Sequence, residues 1–263
     1  MQRLAAGILM GLSLLAGCDD TTTPTTVIVT PSGVVVVDDV QAVAWEGGIL
    51  WTTAYSVDPT VVVVDVNAAA ATAARSVPAF FTPAGCASAS AAGNVLTLQL
   101  NGCAGPFGLT NASGTVVFAF TQVQGGVQIA AASNLQSGSA SLTINAQAVL
   151  TGSGASRTLT VTTNGGGTGP NGTSVTRQGQ YTIAWTSGEA CASIDGTVAS
   201  GTGNVQRTTF RAFNVCRDGC PRSGTVTLVD PQTGGTVTTT YNGTATVTVS
   251  ANGQQSSATL SCQ

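Results

Sequence analysis

From Cys86 onward the chain reads as strands and tight turns, its longer runs alternating apolar and polar residues with a period of two. The runs VLTLQL, GTVVFAF, GVQIAAA, SASLTINAQAVL, RTLTVTT, TSVTRQGQYTIAW and NVQRTTFRAFNV succeed one another. SGTVTLVD, GTVTTTYNG, TATVTVSANG and SATLSC follow them. Successive strand side chains point to opposite faces, so such alternation predicts β-strands with one dry face. Val226, Leu228, Val247 and Val249 fall on one parity, and Thr225, Thr227, Thr246 and Thr248 on the other. One face is therefore apolar and the other carries hydroxyls. Turns bearing glycine or asparagine separate the runs, as at Gly125-Gly126, Asn242-Gly243 and Asn252-Gly253. Even spacing without a helical insert predicts a mainly β fold, an antiparallel meander. With about eleven strands, one twisted sheet curls strongly or becomes barrel-like.

The pattern before this region is different. VVVVDDVQAVAWEGGILWTTAYSVDP can begin as a strand, yet Asp38 to Val57 also supports a helix with Asp at its amino end. After Asp58-Pro59, TVVVVDVNAAAATAARSVP holds an alanine run of high helix propensity, which Pro78 stops. Two short N-terminal helices packed on the sheet are expected. Trp45, Trp51 and Tyr55 are expected to serve that packing, with ligand stacking as the functional alternative.

The first residues, MQRLAAGILMGLSLLAGCDD, join a positive Arg3 to an apolar run from Leu4 to Leu15. A stable span needs about 20 such residues, so this run reads as a secretory signal. Leu15-Ala16-Gly17-Cys18 resembles the lipobox of bacterial lipoproteins. The resemblance implies cleavage after Gly17, diacylglyceryl transfer to the sulfur of Cys18, and acylation of the new amino end. Several acyl chains on one residue anchor more firmly than the single chain that binds only marginally. The Thr/Pro-rich stretch that follows, DDTTTPTTVIVTPSG, has little to bury and reads as an extended tether. The strand region also resembles uncharacterised β-rich secreted bacterial lipoproteins, a likeness that implies no particular activity.

Charge narrows the options. Charged residues are 7% of the chain, there is no histidine, and the formal charge is −3. Beyond Gly17 seven arginines face eleven acidic residues. No basic face for nucleic acid is expected, and anchoring rests on lipid and not on attraction to anionic headgroups. Without histidine, Ser-His-Asp, Cys-His and His-ligated metal arrangements are excluded. The loop NGGGTGPNG, Asn164 to Gly172, lacks the lysine that a phosphate-binding loop requires and reads as a hairpin tip. The only glutamates are Glu46 and Glu189, the second expected at a solvated strand end. Past the tether the aspartates are Asp38, Asp39, Asp58, Asp65, Asp195, Asp218 and Asp230, mostly at turn-like positions. Asp38-Asp39 and Asp65-Val66-Asn67 read as helix starts or turns, with calcium as the alternative. No catalytic residue, metal or cofactor is assigned.

Six cysteines remain after Cys18, and an exported chain favours disulfides over thiolate zinc at Cys216-Arg217-Asp218-Gly219-Cys220. Cys86 and Cys103 flank one hairpin, and Cys191 and Cys216 flank another, leaving Cys220 and Cys262. The pairs Cys86–Cys103, Cys191–Cys216 and Cys220–Cys262 are preferred because the scheme repeats in both halves. The alternative joins Cys216 to Cys220 and Cys191 to Cys262. The repeat extends further. Cys86-Ala87-Ser88 and Cys191-Ala192-Ser193 each lead through a hairpin to a second cysteine and then to SGTV, at Ser113 to Val116 and Ser223 to Val226.

The resulting plan has a signal peptide at 1–17, a lipidated cysteine and tether at 18–33, a helical segment at 34–80, and a β-meander with an internal duplication at 81–263. The expected role is that of a non-catalytic lipoprotein of the bacterial cell envelope, held to a membrane and facing the periplasm or the exterior. Two alternatives stand beside it: a carrier holding a lipid or similar apolar ligand in the curved sheet, and a surface adhesin using the threonine face. A side-chain-lined cavity would favour the carrier. Helices filling that space would not.

Overall fold

The computed structural model describes residues 38–59, 65–168, 172, 174–201, 206–217, 221–251 and 253–259, with side chains from residue 42. Helix α1 spans Asp38–Tyr55 and α2 spans Val66–Ser76. From Val43 to Ala54 every residue of α1 except Trp45 is buried. A helix without a solvent-facing stripe must be enclosed on all sides. Its two central hydroxyls are satisfied internally, since Thr52 and Thr53 both donate to the Ile49 carbonyl at 2.8 and 3.1 Å.

Helix α2 is an ordinary surface helix. The Asp65 carboxylate caps it by accepting from the backbone N–H groups of Asn67 and Ala68. Ala69, Ala70 and Ala73 form its buried side. It ends at Ser76, and Pro78 sits in the 3₁₀ turn Val77–Phe80 that follows. Small alanines allow close approach to the first strands of the sheet.

Thirteen strands follow in chain order: β1 Ala87–Ala92, β2 Val95–Gly105, β3 Leu109–Val123, β4 Gly126–Ser137, β5 Ala140–Ser153, β6 Ser156–Thr168, β7 Ser174–Thr186, β8 Cys191–Gly201, β9 Gln206–Cys216, β10 Ser223–Val229, β11 Thr236–Tyr241, β12 Thr246–Ala251 and β13 Gln254–Thr259. Every pair of sequence neighbours is antiparallel, and the order across the sheet is the order along the chain. Two-residue turns such as Gly138-Ser139 and Gly154-Ala155 close the hairpins.

The meander is as expected, with thirteen strands where the alternating runs number eleven; the other two are the first arms of the cysteine-bounded hairpins. β1 is ASASAA and β8 is CASIDGTVASG, both made mostly of small residues whose alternation has little apolar contrast. The sheet is strongly curved without closing, since β1 and β13 do not pair. Helix α1, at 18 residues, is not short and does not lie on the sheet. The sheet wraps it.

Two adjacent glycines show the wrapping. A Cβ on Gly47 would lie 3.4 Å from Ile183 Cδ1 and 3.7 Å from Ile194 Cδ1, on β7 and β8. A Cβ on Gly48 would lie 2.7 Å from the carbonyl oxygen of Pro106, in the turn between β2 and β3. One helical turn thus touches opposite walls. Trp45 Nε1 reaches the β2–β3 wall as well, donating to Gly108 O at 2.9 Å. Past β9, Arg217 donates to Ala79 O at 2.6 Å and stands 5.0 Å above the Phe80 ring, which ties the ninth strand back to the segment before the first.

The inward parity carries Leu96, Leu98, Phe118, Phe120, Ile129, Leu150, Val161, Ile183, Ile194 and Phe210, all essentially inaccessible to solvent. Together with α1 they form one continuous core. Hydrophobic burial on this scale, at about 25 cal/mol per Å² of apolar surface, is the main driving force for the curl.

The loop expected at Asn164 to Gly172 is strand over its first five residues: 164–168 belong to β6 and pair with β7. A Cβ on Gly165 or Gly167 would meet the carbonyl oxygens of Thr143 or Ser141 at 2.4 and 2.1 Å, and one on Gly166 would meet Val175 O at 2.5 Å. Glycine here lets three backbones approach closely.

Candidate functional site: a buried carboxylate inside the curl

Glu46, on the enclosed helix, is 0% exposed. Its Oε1 accepts the Tyr181 hydroxyl at 2.6 Å. Its Oε2 accepts both Thr163 Oγ1 at 2.9 Å and Arg177 Nη2 at 2.6 Å. The Arg177 side chain is 3% exposed, so this is an ion pair removed from water. β6 supplies the threonine; β7 supplies the arginine and tyrosine, four residues apart and therefore on one face.

Burial, reinforced by the Glu46 charge and by the hydrogen bond to it, holds the Tyr181 phenol well above its usual range, although Arg177 opposes the shift. The phenol stays a donor. Three donors thus converge on one carboxylate and use both of its oxygens. An acid or base that exchanges protons with a substrate needs a free lone pair and an approach path. Here both oxygens are committed to the sheet, which makes the cluster a latch between α1 and the β6–β7 wall. Arg177 Nε is buried without a hydrogen-bond partner.

One end of α1 enters an aromatic cluster. The Trp51 ring lies 5.0 Å from Tyr55, 5.6 Å from Phe80 and 5.2 Å from Phe107, the first two edge-on. Phe107 adopts a left-handed backbone, φ 60 and ψ 34, to place its ring there. Trp51 and Tyr55 therefore serve packing, and Trp45 serves it through its bond to Gly108 O.

The remaining described acids are dispersed, and Asp218 lies outside the described residues. Asp38 and Asp39 open α1, and Asp65 caps α2, which are the helix-start readings. Asp58 pairs with Arg157 at 3.3 Å, joining the end of the helical segment to β6. Glu189 is exposed in the β7–β8 turn, as expected. Asp230 makes a turn by accepting from Gln232 N and Thr233 Oγ1, bonds that lower its pKa. Asp195 is not at a turn. It lies in β8 at a register shift against β9, where its carboxylate accepts from Ala212 N at 2.7 Å and from Ser193 Oγ.

Cys86–Cys103 and Cys191–Cys216 are disulfides. The second removes the alternative Cys216–Cys220 bridge and any thiolate zinc at Cys216. Cys220 and Cys262, like Cys18, the signal and the tether, lie outside the described residues. In both halves a bridged hairpin is followed by a strand that carries SGTV, within β3 at Ser113 to Val116 and at the start of β10, and Gly114 and Gly224 in those motifs share positive φ.

The outward face is a field of hydroxyls and carboxamides. In register across nine strands run Gln147, Thr162, Gln180, Thr197, Thr209, Thr227, Thr238, Ser250 and Gln255. Neighbours bond along such rows, as between Thr227 and Thr238 at 3.1 Å, and diagonally between strands, as from Gln128 to Gln147 at 2.6 Å.

The latch was invisible in outline but not in every detail. Arg177 and Tyr181 share the parity of Ile183 and Trp185, a signal that points them inward. Glu46 is the sole charge between Gln41 and Thr53, the other half of the same signal. No helix among the described residues is long and apolar enough to cross a membrane. No family model, curated protein or solved structure matches the chain.

Proposed function

We propose that this chain is a non-catalytic lipoprotein of the bacterial cell envelope, anchored through Cys18, whose β domain has a structural or binding role. The observation that carries the reading is the enclosure of α1. The space inside the curl holds the chain's own helix, and the buried acid within it is committed to Thr163, Arg177 and Tyr181. A carrier of an apolar ligand needs that interior, so the helix weighs against the carrier. The polar rows outside leave the sheet's contacts to hydroxyl and amide chemistry, the opposite polarity to a barrel whose outer face meets lipid. This face favours the adhesin as the second reading.

The anchor is tested with full-length protein in a bacterial host fed a labelled fatty acid. Label on the wild type, together with an uncut or soluble Cys18→Ala variant, supports it. A Cys18→Ala protein that is still processed and membrane-bound overturns it. For the domain, native mass spectrometry of the purified protein distinguishes a filled core from a carrier, since a lipid in addition to the covalent anchor supports the carrier.

A further inference from the structure

The sheet's two edges are treated differently. At the β1 edge, α2 and the Val77–Phe80 turn pack against the strand, and Ala87 is buried. β13 pairs with β12 along all six residues, and β12 is its one extensive neighbour among the described residues. Five of its six side chains, QQSSAT, are exposed. Open edges are commonly protected by lysine or other charges, proline, or bulges. β13 has no charge and no proline, its register with β12 is unbroken, and β12 is uncharged too.

We propose that β13 is a self-association edge, pairing antiparallel with β13 of a second copy of this chain. Identical antiparallel strands are related by a two-fold axis, which closes the assembly at two copies. Backbone N–H and C=O groups left open on one copy meet the same groups on the other. A copy of the same neutral strand brings no like-charge repulsion. Residues facing across the axis must lie on one face of the sheet, so the pair centres on a single residue, Ser256 or Ser257. Centring on Ser257 sets Gln255 of one copy against Thr259 of the other. Either way the outward polar rows continue from one sheet into the next.

The test uses the full-length protein with a photo-crosslinking residue at Gln255, compared with the same residue at Thr121, an exposed site on β3. The expected result is a concentration-dependent product of twice the chain mass from position 255 and none from 121. Adding Ser257→Lys places like charges face to face and should cut the yield about tenfold or more with unchanged far-ultraviolet circular dichroism. Ser256→Lys does the same where the pair centres on Ser256, and serves if Ser257→Lys disturbs the fold. Monomer at every concentration, equal crosslinking from both positions, or a dimer indifferent to both lysines overturns the proposal. A product of another mass does so too, because it gives the edge to a different partner.

Discussion

Arg177 Nη2 and Glu46 Oε2 stand 2.6 Å apart across 131 residues of sequence, both in side chains that water hardly reaches. The pair joins a helix near the start of the described chain to the seventh strand of a sheet built around it. A buried ion pair offsets its own desolvation only with good geometry and further hydrogen bonds, and Thr163 and Tyr181 supply these. Removing one partner strands the other charge. Glu46→Ala should therefore cost about 3–5 kcal/mol in urea unfolding, as should Arg177→Ala. The double change Glu46→Leu with Arg177→Met should recover much of that loss. If the single variants stay within about 1 kcal/mol of wild type, the cluster is not a latch.

Tyr181 gives the latch an alkaline limit. Its folded pKa is raised above the ordinary value of 10.0 by burial and by Glu46. The folded state therefore holds its proton longer than the unfolded state does. The stability linked to this group is complete below about pH 10 and falls as pH rises further. Tyr181→Phe should flatten that part of the pH–stability curve and, at neutral pH, remove a hydrogen bond to a charged group worth about 1.5–3 kcal/mol. Spectrophotometric titration should show the Tyr181 phenol ionising only as the protein unfolds. A phenol that titrates normally in folded protein contradicts this.

The meander was legible because parity is local. Val226 and Leu228 face inward and Thr225 and Thr227 outward for reasons contained in seven residues. β1 and β8 were legible only as the first arms of the cysteine-bounded hairpins, because Ala87 to Ala92 and Ala192 to Gly201 offer few side chains large enough to mark a face. α1 was ambiguous for a related reason: Gly47-Gly48 weakens a helix by propensity, and no polar stripe marks its outside. Both features follow from enclosure, a property of strands more than a hundred residues away. The inward turn of Glu46 depends on the same distant partners.

The two described disulfides close loops of different length, with separations of 17 and 25 residues. In the chain-entropy model each restricts the unfolded state by about 3–4 kcal/mol, with the longer loop slightly ahead. Replacing Cys191 and Cys216 together by serine should lower the urea midpoint at least as much as replacing Cys86 and Cys103. Non-reducing peptide mapping of the native protein should yield both linked pairs. A free thiol at any of these four positions would contradict the pairing.

The last expectation separates two neighbouring glycines that look equivalent in sequence. Alanine at either position should gain up to about 1 kcal/mol of helix propensity. At Gly47 the new methyl meets the ends of Ile183 and Ile194 at 3.4 and 3.7 Å, an ordinary packing distance. Gly47→Ala should accordingly be neutral or mildly stabilising. At Gly48 the methyl would stand 2.7 Å from Pro106 O and 3.3 Å from its carbonyl carbon. That obstacle is backbone, adjoining Phe107, whose ring packs on Trp51, and it cannot rotate away as a side chain would. Overpacking of this kind typically costs about 1–3 kcal/mol, enough to exceed the propensity gain. Gly48→Ala should therefore destabilise, and its loss should exceed any change at Gly47 by more than about 1 kcal/mol. Equal effects from the two substitutions in thermal or urea unfolding would mean that α1 is not gripped between the two walls.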